Sequence, residues 1–291
     1  MPHVVILVAH LDTESLSPAT IKRVRDAVRG EAAIVLSEGE AVDIACVKPP
    51  DMDAVRAAID GAAVDCFGMT NRGRRKGLLV ADMDSTVVTS ETLDEIAAHA
   101  GLKERVAAIT ARSMNGEVDF RDALRERVAL LKGLNLSALA ATWEKTRLTP
   151  GARTLVATMR AHNATTALVS GGFTYFTERV ASLCGFDVHR ANTLLDDGTA
   201  LTGAVGEPIL DRDAKLAVLL ELAETRGVKL RSTLAVGDGA NDLGMIAAAG
   251  MGVAFHAKPL VAAAARHRID FGDLRALLFA QGYRASEFAE G

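Results

Sequence analysis

The stretch Gly77-Leu78-Leu79-Val80-Ala81-Asp82-Met83-Asp84-Ser85-Thr86 constrains this chain more than any other. Leu78 to Ala81 has the length and composition of a fully buried strand, set between a basic polar segment and a polar turn. A strand buried on both faces belongs inside an open α/β sheet, and such sheets hold their ligands outside the carboxyl ends of their strands. Asp82 stands at that end, and Asp84 follows after one intervening residue.

Alternate residues leaving a strand can turn two carboxylates toward one point, and a hard cation such as Mg²⁺ is held by one or two such oxygens. Once a cation partly neutralises a phosphate, a carboxylate can attack phosphorus. Without it, a phosphate oxyanion and a carboxylate about 4 Å apart repel by roughly 4 kcal/mol per charge pair at an effective dielectric near 20. The plain alternative is that Asp82 and Asp84 cap the next helix.

The remaining chain narrows the classes. Its 291 residues suit one large or two modest domains. A formal charge of −4 argues against a nucleic-acid binder working through bulk electrostatics. Cys46, Cys66 and Cys184 are widely spaced and odd in number, which suggests neither a disulfide framework nor a zinc cluster and fits a reducing cytoplasm. The apolar run His3 to Ala9 lacks the basic start and length of a signal peptide, and nothing approaches the roughly 20 apolar residues of a membrane span.

Residues 1 to 70 read as a unit of order βαββαβ. Val4 to Ala9 is a strand, and Ser17-Pro18 starts a helix whose apolar face is Ile21, Val24 and Val28 and which Gly30 closes. Strands follow at Ala32 to Leu36, Ala41 to Val47 and Ala63 to Phe67, with a helix at Met52 to Ile59 after Pro49-Pro50. This is a ferredoxin-like α+β plan and resembles the ACT domains that accompany amino-acid enzymes. No ligand-specific pattern stands out, so structural support, a homodimer contact and amino-acid effector binding all stay open.

Residues 71 to 77, with Arg72, Arg74, Arg75 and Lys76, read as a basic linker and a solvated hinge. Glu91 to Lys145 is helical, with Ile96, Val106, Ile109, Leu124, Val128 and Leu131 as buried faces, and such an insert after the first strand could close over a site. The α/β pattern resumes with a helix opened by Pro150-Gly151 and a strand at Ala164 to Val169 ending in Ser170-Gly171-Gly172. Val188 to Leu195 and Thr199 to Val205 flank a hairpin turn at Asp196-Asp197-Gly198. Lys215 opens a helix, and Thr233 to Val236 is a strand ending in Gly237-Asp238-Gly239-Ala240-Asn241-Asp242. Short strands at Met251 to Phe255 and Arg268 to Asp270 each precede a helix, and the polar tail from Ser286 reads as frayed. Parallel neighbours bring the three strand-end clusters to one edge, where glycine N–H groups and a lysine suit an oxyanion.

These motifs, in this order, resemble the haloacid dehalogenase-type phosphatases: Asp82-Met83-Asp84-Ser85-Thr86, Ser170, Lys215, and Gly237-Asp238-Gly239-Ala240-Asn241-Asp242. Within that superfamily Glu91-Thr92-Leu93-Asp94-Glu95, Met114-Asn115-Gly116 through Phe120, and Arg127-Val128 make the chain similar to the phosphoserine phosphatase family over Lys76 to Ala280. The resemblance implies a Rossmann-like parallel-sheet phosphatase core over 78 to 291, with a helical cap at about 91 to 147. It implies hydrolysis of O-phospho-L-serine, with Asp82 as nucleophile and Asp84 as proton donor and then base. Mg²⁺ would sit on Asp82, the Asp84 carbonyl and Asp238, with Asp242 outside that shell. Ser170, the Gly171 N–H and Lys215 would take the phosphate, Glu91 the ammonium and Arg127 the carboxylate, while Asn241 orients the shell or the substrate and Met114 and Phe120 wall the pocket.

Each residue has a bland reading: a turn for Ser170-Gly171-Gly172, a surface charge for Lys215, a helix-start acid for Glu91, a partner of Glu126 or Asp122 for Arg127, core packing for Met114 and Phe120. Cys184 and Arg190 have the C-x₅-R spacing of thiolate phosphatases, but the loop between them is not glycine-rich and carries Asp187. None of the seven histidines joins the strand-end clusters, and a G-x-x-x-x-G-K-[ST] loop is absent. The rival readings are a phosphotransferase, a phosphatase for another small phosphorylated amine, and a catalytically silent amino-acid sensor, which intact Asp82 and Asp84 disfavour.

Overall fold

The computed structural model describes residues 1–10, 15–114 and 117–291, and of Met114 and Arg212 the backbone alone. The first elements are β1 (His3–Ala9), α1 (Pro18–Val28), β2 (Ile34–Ser37), β3 (Ala41–Cys46), α2 (Met52–Ile59) and β4 (Val64–Thr70). Their strands form a four-stranded antiparallel sheet in the order β2-β3-β1-β4, the ferredoxin-like plan that the sequence implies. Ser17 caps α1 by accepting from Thr20 N at 3.1 Å. The helix closes on Arg29, in the left-handed region at φ 50°, and not on Gly30. Gly30 is needed for space, since a Cβ there would lie 2.4 Å from Ile44 Cγ2.

The second half begins at β5 (Leu78–Ala81), followed by a tight turn over Met83–Val87 and four helices, α3 (Thr92–His99), α4 (Lys103–Met114), α5 (Phe120–Ala129) and α6 (Ser137–Lys145). Then come α7 (Ala152–Ala161), β6 (Thr165–Phe173), α8 (Thr174–Cys184), β7 (Val188–Asn192), the hairpin β8 (Leu194–Asp196) and β9 (Leu201–Val205), and α9 (Arg212–Thr225). The chain finishes with β10 (Thr233–Gly237), α10 (Leu243–Ala248), β11 (Met251–Phe255), α11 (Pro259–Ala264), β12 (His267–Ile269) and α12 (Ala276–Ala280).

Six strands make a parallel sheet in the order β12-β11-β10-β5-β6-β7. The chain adds β6 and β7 on one side of β5, then returns to add β10, β11 and β12 on the other. The order therefore reverses between β5 and β10, and a crevice opens beyond their carboxyl ends. Ala81 pairs with Val236, so Asp82 and Asp238 leave the sheet at nearly the same level. Helices α3 to α6 hang from two adjacent connections, bridged at Val88 and Leu148, and bury the six apolar residues that the sequence assigns to them.

Three local readings need correction. Ser170-Gly171-Gly172 is not a turn: it continues β6 as an irregular extension, with a register shift against β7 between Val169 and Phe173. Val188 to Leu195 is not one hairpin strand, because β7 stays in the main sheet while β8 alone pairs with β9. The tail is not frayed: Glu287 pairs with Arg75 at 2.7 Å, Ala289 N donates to Thr158 Oγ1 at 2.9 Å, and the Phe288 ring lies 5.0 Å from that of Phe279.

Nor is the basic segment a solvated hinge. Arg74 pairs with Asp43 in two places, Arg75 stacks 4.1 Å over the Tyr283 ring, and Lys76 is buried, its Nζ donating to Arg231 O at 2.8 Å. Asp65 of β4 accepts from the N–H groups of Asp270 and Gly272, each at 2.7 Å. One face of β1 packs against α1 and α2 through Val5 and Leu7, while Val4, Ile6 and Val8 join the apolar core that contains Leu277 and Phe279 of α12.

At this junction His267 of β12 is buried with its ring 6.0 Å from that of Phe67. Burial, helped by the charges of Arg266 and Lys76, pushes its imidazole from 6.5 down to about 4. The unfolded chain then binds the extra proton between these values, so this contribution to stability is complete above pH 6.5 and is lost as pH falls toward 4. A displacement from 6.5 to about 4 corresponds to about 3 kcal/mol. Denaturant unfolding from pH 7 to 4.5 is expected to show the wild type losing about 2 kcal/mol more than His267→Gln. Parallel pH profiles would show that His267 is not buried neutral.

Candidate active site

The carboxyl ends of β5 and β10 converge on one buried ammonium. Lys215, in the first turn of α9, places Nζ 2.7 Å from Asp82 Oδ1 and 2.7 Å from Asp242 Oδ1, with only 1% of the residue exposed. Each carboxylate is braced by backbone, Asp82 Oδ1 accepting from Met83 N at 2.8 Å and Asp242 Oδ2 from Gly239 N at 3.0 Å. Asp82, Asp238 and Asp242 each offer an oxygen within 4.8 Å of the others.

Burial, with Asp242 and Asp238 adding to it against the pull of Lys215, pushes the Asp82 carboxyl well above the usual range. Burial and the charges of Asp242 and Glu91 push Asp238 up to about 6. Burial alone would lower Lys215, but the two carboxylates against it hold it above its ordinary value. Three buried acids thus share one lysine, with Lys258 Nζ 4.0 Å from Asp238 at the rim. Hard oxygen donors with surplus negative charge are a donor set that a divalent cation fits.

Asp84 leaves the same turn, where Ser85 sits at φ 53°. Its Oδ1 accepts from Thr92 N at 3.2 Å and its Oδ2 from Thr92 Oγ1 at 3.2 Å, both at the start of α3. The helix-cap reading holds for Asp84, since Thr92 N lies in the first turn of α3. Glu91, which holds the N-cap position, makes no local side-chain cap and accepts instead from Ser85 Oγ at 2.7 Å. Burial and the Glu91 charge push Asp84 up to about 7 against the Thr92 bonds, so near neutral pH it can both give and take a proton.

On the other side, Ser170 Oγ is buried and accepts from Gly172 N at 2.9 Å. A Cβ at Gly172 would stand 3.0 Å from Asp84 Oδ2, so glycine is what lets the strand end approach the acid. Asn192 of β7 holds this segment, donating from Nδ2 to Gly171 O at 2.9 Å and accepting from Leu210 N at 2.7 Å.

These groups border a cavity of about 620 Å³ between the sheet edge and the helical insert, lined by Asp82, Asp84, Glu91, Phe120, Arg127, Ser170, Gly171, Asp238 and Asn241 among others. Lys215 stands behind this wall in contact with Asp82 and Asp242, and the Met114 side chain lies outside what is described. Arg127 is not paired with Glu126 or Asp122: its Nη1 donates to Thr110 Oγ1 at 3.0 Å and its Nε to Ala123 O at 3.2 Å. Burial lowers its guanidinium from the ordinary value although Asp94, Glu91 and Asp84 face it. Sequence reasoning includes Thr92 in the Glu91–Glu95 motif without a role and passes over Thr110 and Asn192, whose partners Arg127 and Gly171 are distant in sequence. Cys184 is no nucleophile, since burial pushes its thiol up to about 12 and Arg190 turns to Glu221 at 3.9 Å.

The profile of the haloacid dehalogenase-like hydrolases matches residues 77–250. The chain belongs to the haloacid dehalogenase-like hydrolases. It is 43% identical over 235 residues to a phosphoserine phosphatase of Streptomyces coelicolor, covering 81% of this chain but only 57% of that relative's length. A probable phosphoserine phosphatase of Vibrio cholerae, solved without ligand, superposes with a TM-score of 0.80 at 32% identity, covering 98% of this chain and 88% of that one. A phosphoserine phosphatase solved as a phospho-aspartyl intermediate analogue gives a TM-score of 0.66 at 39% identity, covering 70% of this chain and 98% of that one.

The crowding of Asp82, Asp238 and Asp242 at one point has a measurable consequence. A cation bound by the native acids alone raises the stability of the fold, by about 2.7 kcal/mol at one hundred times its dissociation constant. Mg²⁺ is therefore expected to raise the melting temperature of the wild type reversibly, with chelator undoing it, and Asp238→Asn to remove most of the rise. An equal rise in both proteins would place the cation elsewhere.

Proposed function

We propose that this chain hydrolyses O-phospho-L-serine to L-serine and phosphate through an aspartyl-phosphate on Asp82, the final step of serine biosynthesis. The observation that carries this is the pairing, across one cavity, of the Asp82–Asp84 turn with a half-buried cation and a carboxylate from the insert, Arg127 and Glu91. These match the charges of an amino acid esterified to phosphate. The likeness to a phosphoserine phosphatase with a phospho-aspartyl analogue supports the covalent route.

In this reading Asp82 attacks phosphorus, the bond to the serine oxygen breaks, and Asp84 protonates that oxygen. Asp84, now a carboxylate, takes a proton from the water that hydrolyses the acyl phosphate. Lys215 uses two of its three N–H donors on Asp82 and Asp242, which leaves one for a phosphate oxygen beside Ser170 and the Gly171 N–H. Arg127 takes the substrate carboxylate, preferably in a bidentate pair. Glu91 takes the ammonium, Asn241 orients the phosphate side, and Phe120 walls the pocket. Mg²⁺ would be held by Asp82, the Asp84 carbonyl and Asp238, with Asp242 behind them, and would supply charge neutralisation at the phosphate.

Residues 1–70 then form an ACT-like domain, 71–77 the connection, and 78–291 the phosphatase domain with its cap at about 91–147. For the first unit a homodimer contact is favoured over an effector site, because the edge strand β2 exposes Ile34 and Val35. A cytoplasmic setting is supported by the free thiols Cys46, Cys66 and Cys184, and no described helix is long and apolar enough to cross a membrane.

Phosphate release from phosphoserine is expected to need Mg²⁺, to vanish in Asp82→Asn and to persist in Cys184→Ser. Activity that survives chelator and Asp82→Asn overturns the reading. Arg127→Ala should raise KM for phosphoserine about 10- to 100-fold, the loss of a charged hydrogen bond. Phosphoethanolamine, which lacks the carboxylate, should be unaffected; equal losses on both would remove Arg127 from the substrate.

A further inference from the structure

Thr92 is fully buried where the insert begins, and it engages both oxygens of Asp84, through N to Oδ1 and through Oγ1 to Oδ2, each at 3.2 Å. A backbone N–H can only donate, so Oδ1 stays an acceptor and the transferable proton belongs on Oδ2. A hydroxyl both donates and accepts, so Thr92 Oγ1 fits Asp84 as carboxyl and as carboxylate. On its far side Oδ2 meets Gly172, where a Cβ would lie 3.0 Å away. The acid is thus held between the insert and β6.

We propose that Thr92 is the positioning residue of the proton transfer, aiming Asp84 Oδ2 at the leaving oxygen and tying that aim to the seating of α3 on the core. The proposal rests on the phosphatase reading. As the Asp82–phosphorus bond forms, the bond from phosphorus to the serine oxygen breaks, its electron pair stays on that oxygen, and the proton on Asp84 Oδ2 moves to it. An alkoxide leaving group needs that proton. Acetate, leaving from acetyl phosphate, does not.

The test compares phosphoenzyme formation, by acid quench, from phosphoserine and from acetyl phosphate in the wild type, Thr92→Val, Thr92→Ser and Asp84→Asn. Thr92→Val is expected to slow the phosphoserine reaction by about 10- to 100-fold, with KM within about threefold, and to leave the acetyl phosphate reaction within about threefold. Thr92→Ser, which restores the hydroxyl, is expected to recover the phosphoserine rate. Equal losses on both substrates, no loss on either, or a serine variant as slow as valine would overturn the assignment. Should Thr92→Val melt below the assay temperature, Thr92→Ala against Thr92→Ser makes the same comparison. Failure of the underlying reading looks different: the wild type itself forms no phosphoenzyme from phosphoserine, or Asp84→Asn slows both substrates alike.

Discussion

The buried ammonium of Lys215 is the interaction on which the site depends. Moving a carboxylate out of water costs several kcal/mol even after relaxation, and a lone buried acid would take up a proton instead. Here Asp82 and Asp242 both lie 2.7 Å from one Nζ, and backbone N–H groups from Met83 and Gly239 fill part of what remains. The arrangement fixes Asp82 Oδ1 to within a hydrogen bond while leaving its cluster short of positive charge. The same shortage that pushes the Asp82 and Asp238 carboxyls up makes the site receptive to a cation.

Topology supplies the convergence and local chemistry supplies the aim. The reversal of strand order between β10 and β5 brings Asp82 and Asp238 to one level without any loop having to bend toward the other. Asp84 then turns away from that cluster, because Ser85 takes a left-handed conformation and Thr92 offers two donors. Two carboxylates one residue apart thereby acquire different surroundings, one beside an ammonium and one beside a threonine and Glu91. Separate roles for chemically identical groups follow from such separate environments.

Much of this was legible in the residues. The buried strand and its two acids, the helical insert, the parallel sheet and the strand-end clusters all announce themselves through run length, period and glycine placement. What stayed hidden depends on contacts between distant segments. Asn192 reads as an ordinary strand residue until β7 is placed beside Gly171. Arg127 has acidic neighbours close by in sequence, yet packing turns it to Thr110 and the cavity. The basic segment reads as solvated because its partners, Asp43, Tyr283, Gln281 and Glu287, lie on both sides of it across long stretches of chain.

One signal for that docking was present in β1. A ferredoxin-like sheet with a solvated face would alternate apolar and polar residues. Val4-Val5-Ile6-Leu7-Val8-Ala9 does not alternate, and every one of these residues is buried. The odd positions serve α1 and α2, while Val4, Ile6 and Val8 lie in the core built around α12. The first sheet is therefore a wall of the second half's core, and Asp65 binds the turn after β12 through its backbone N–H groups. Any change in how that sheet sits must move the edge of the sheet whose centre carries Asp82.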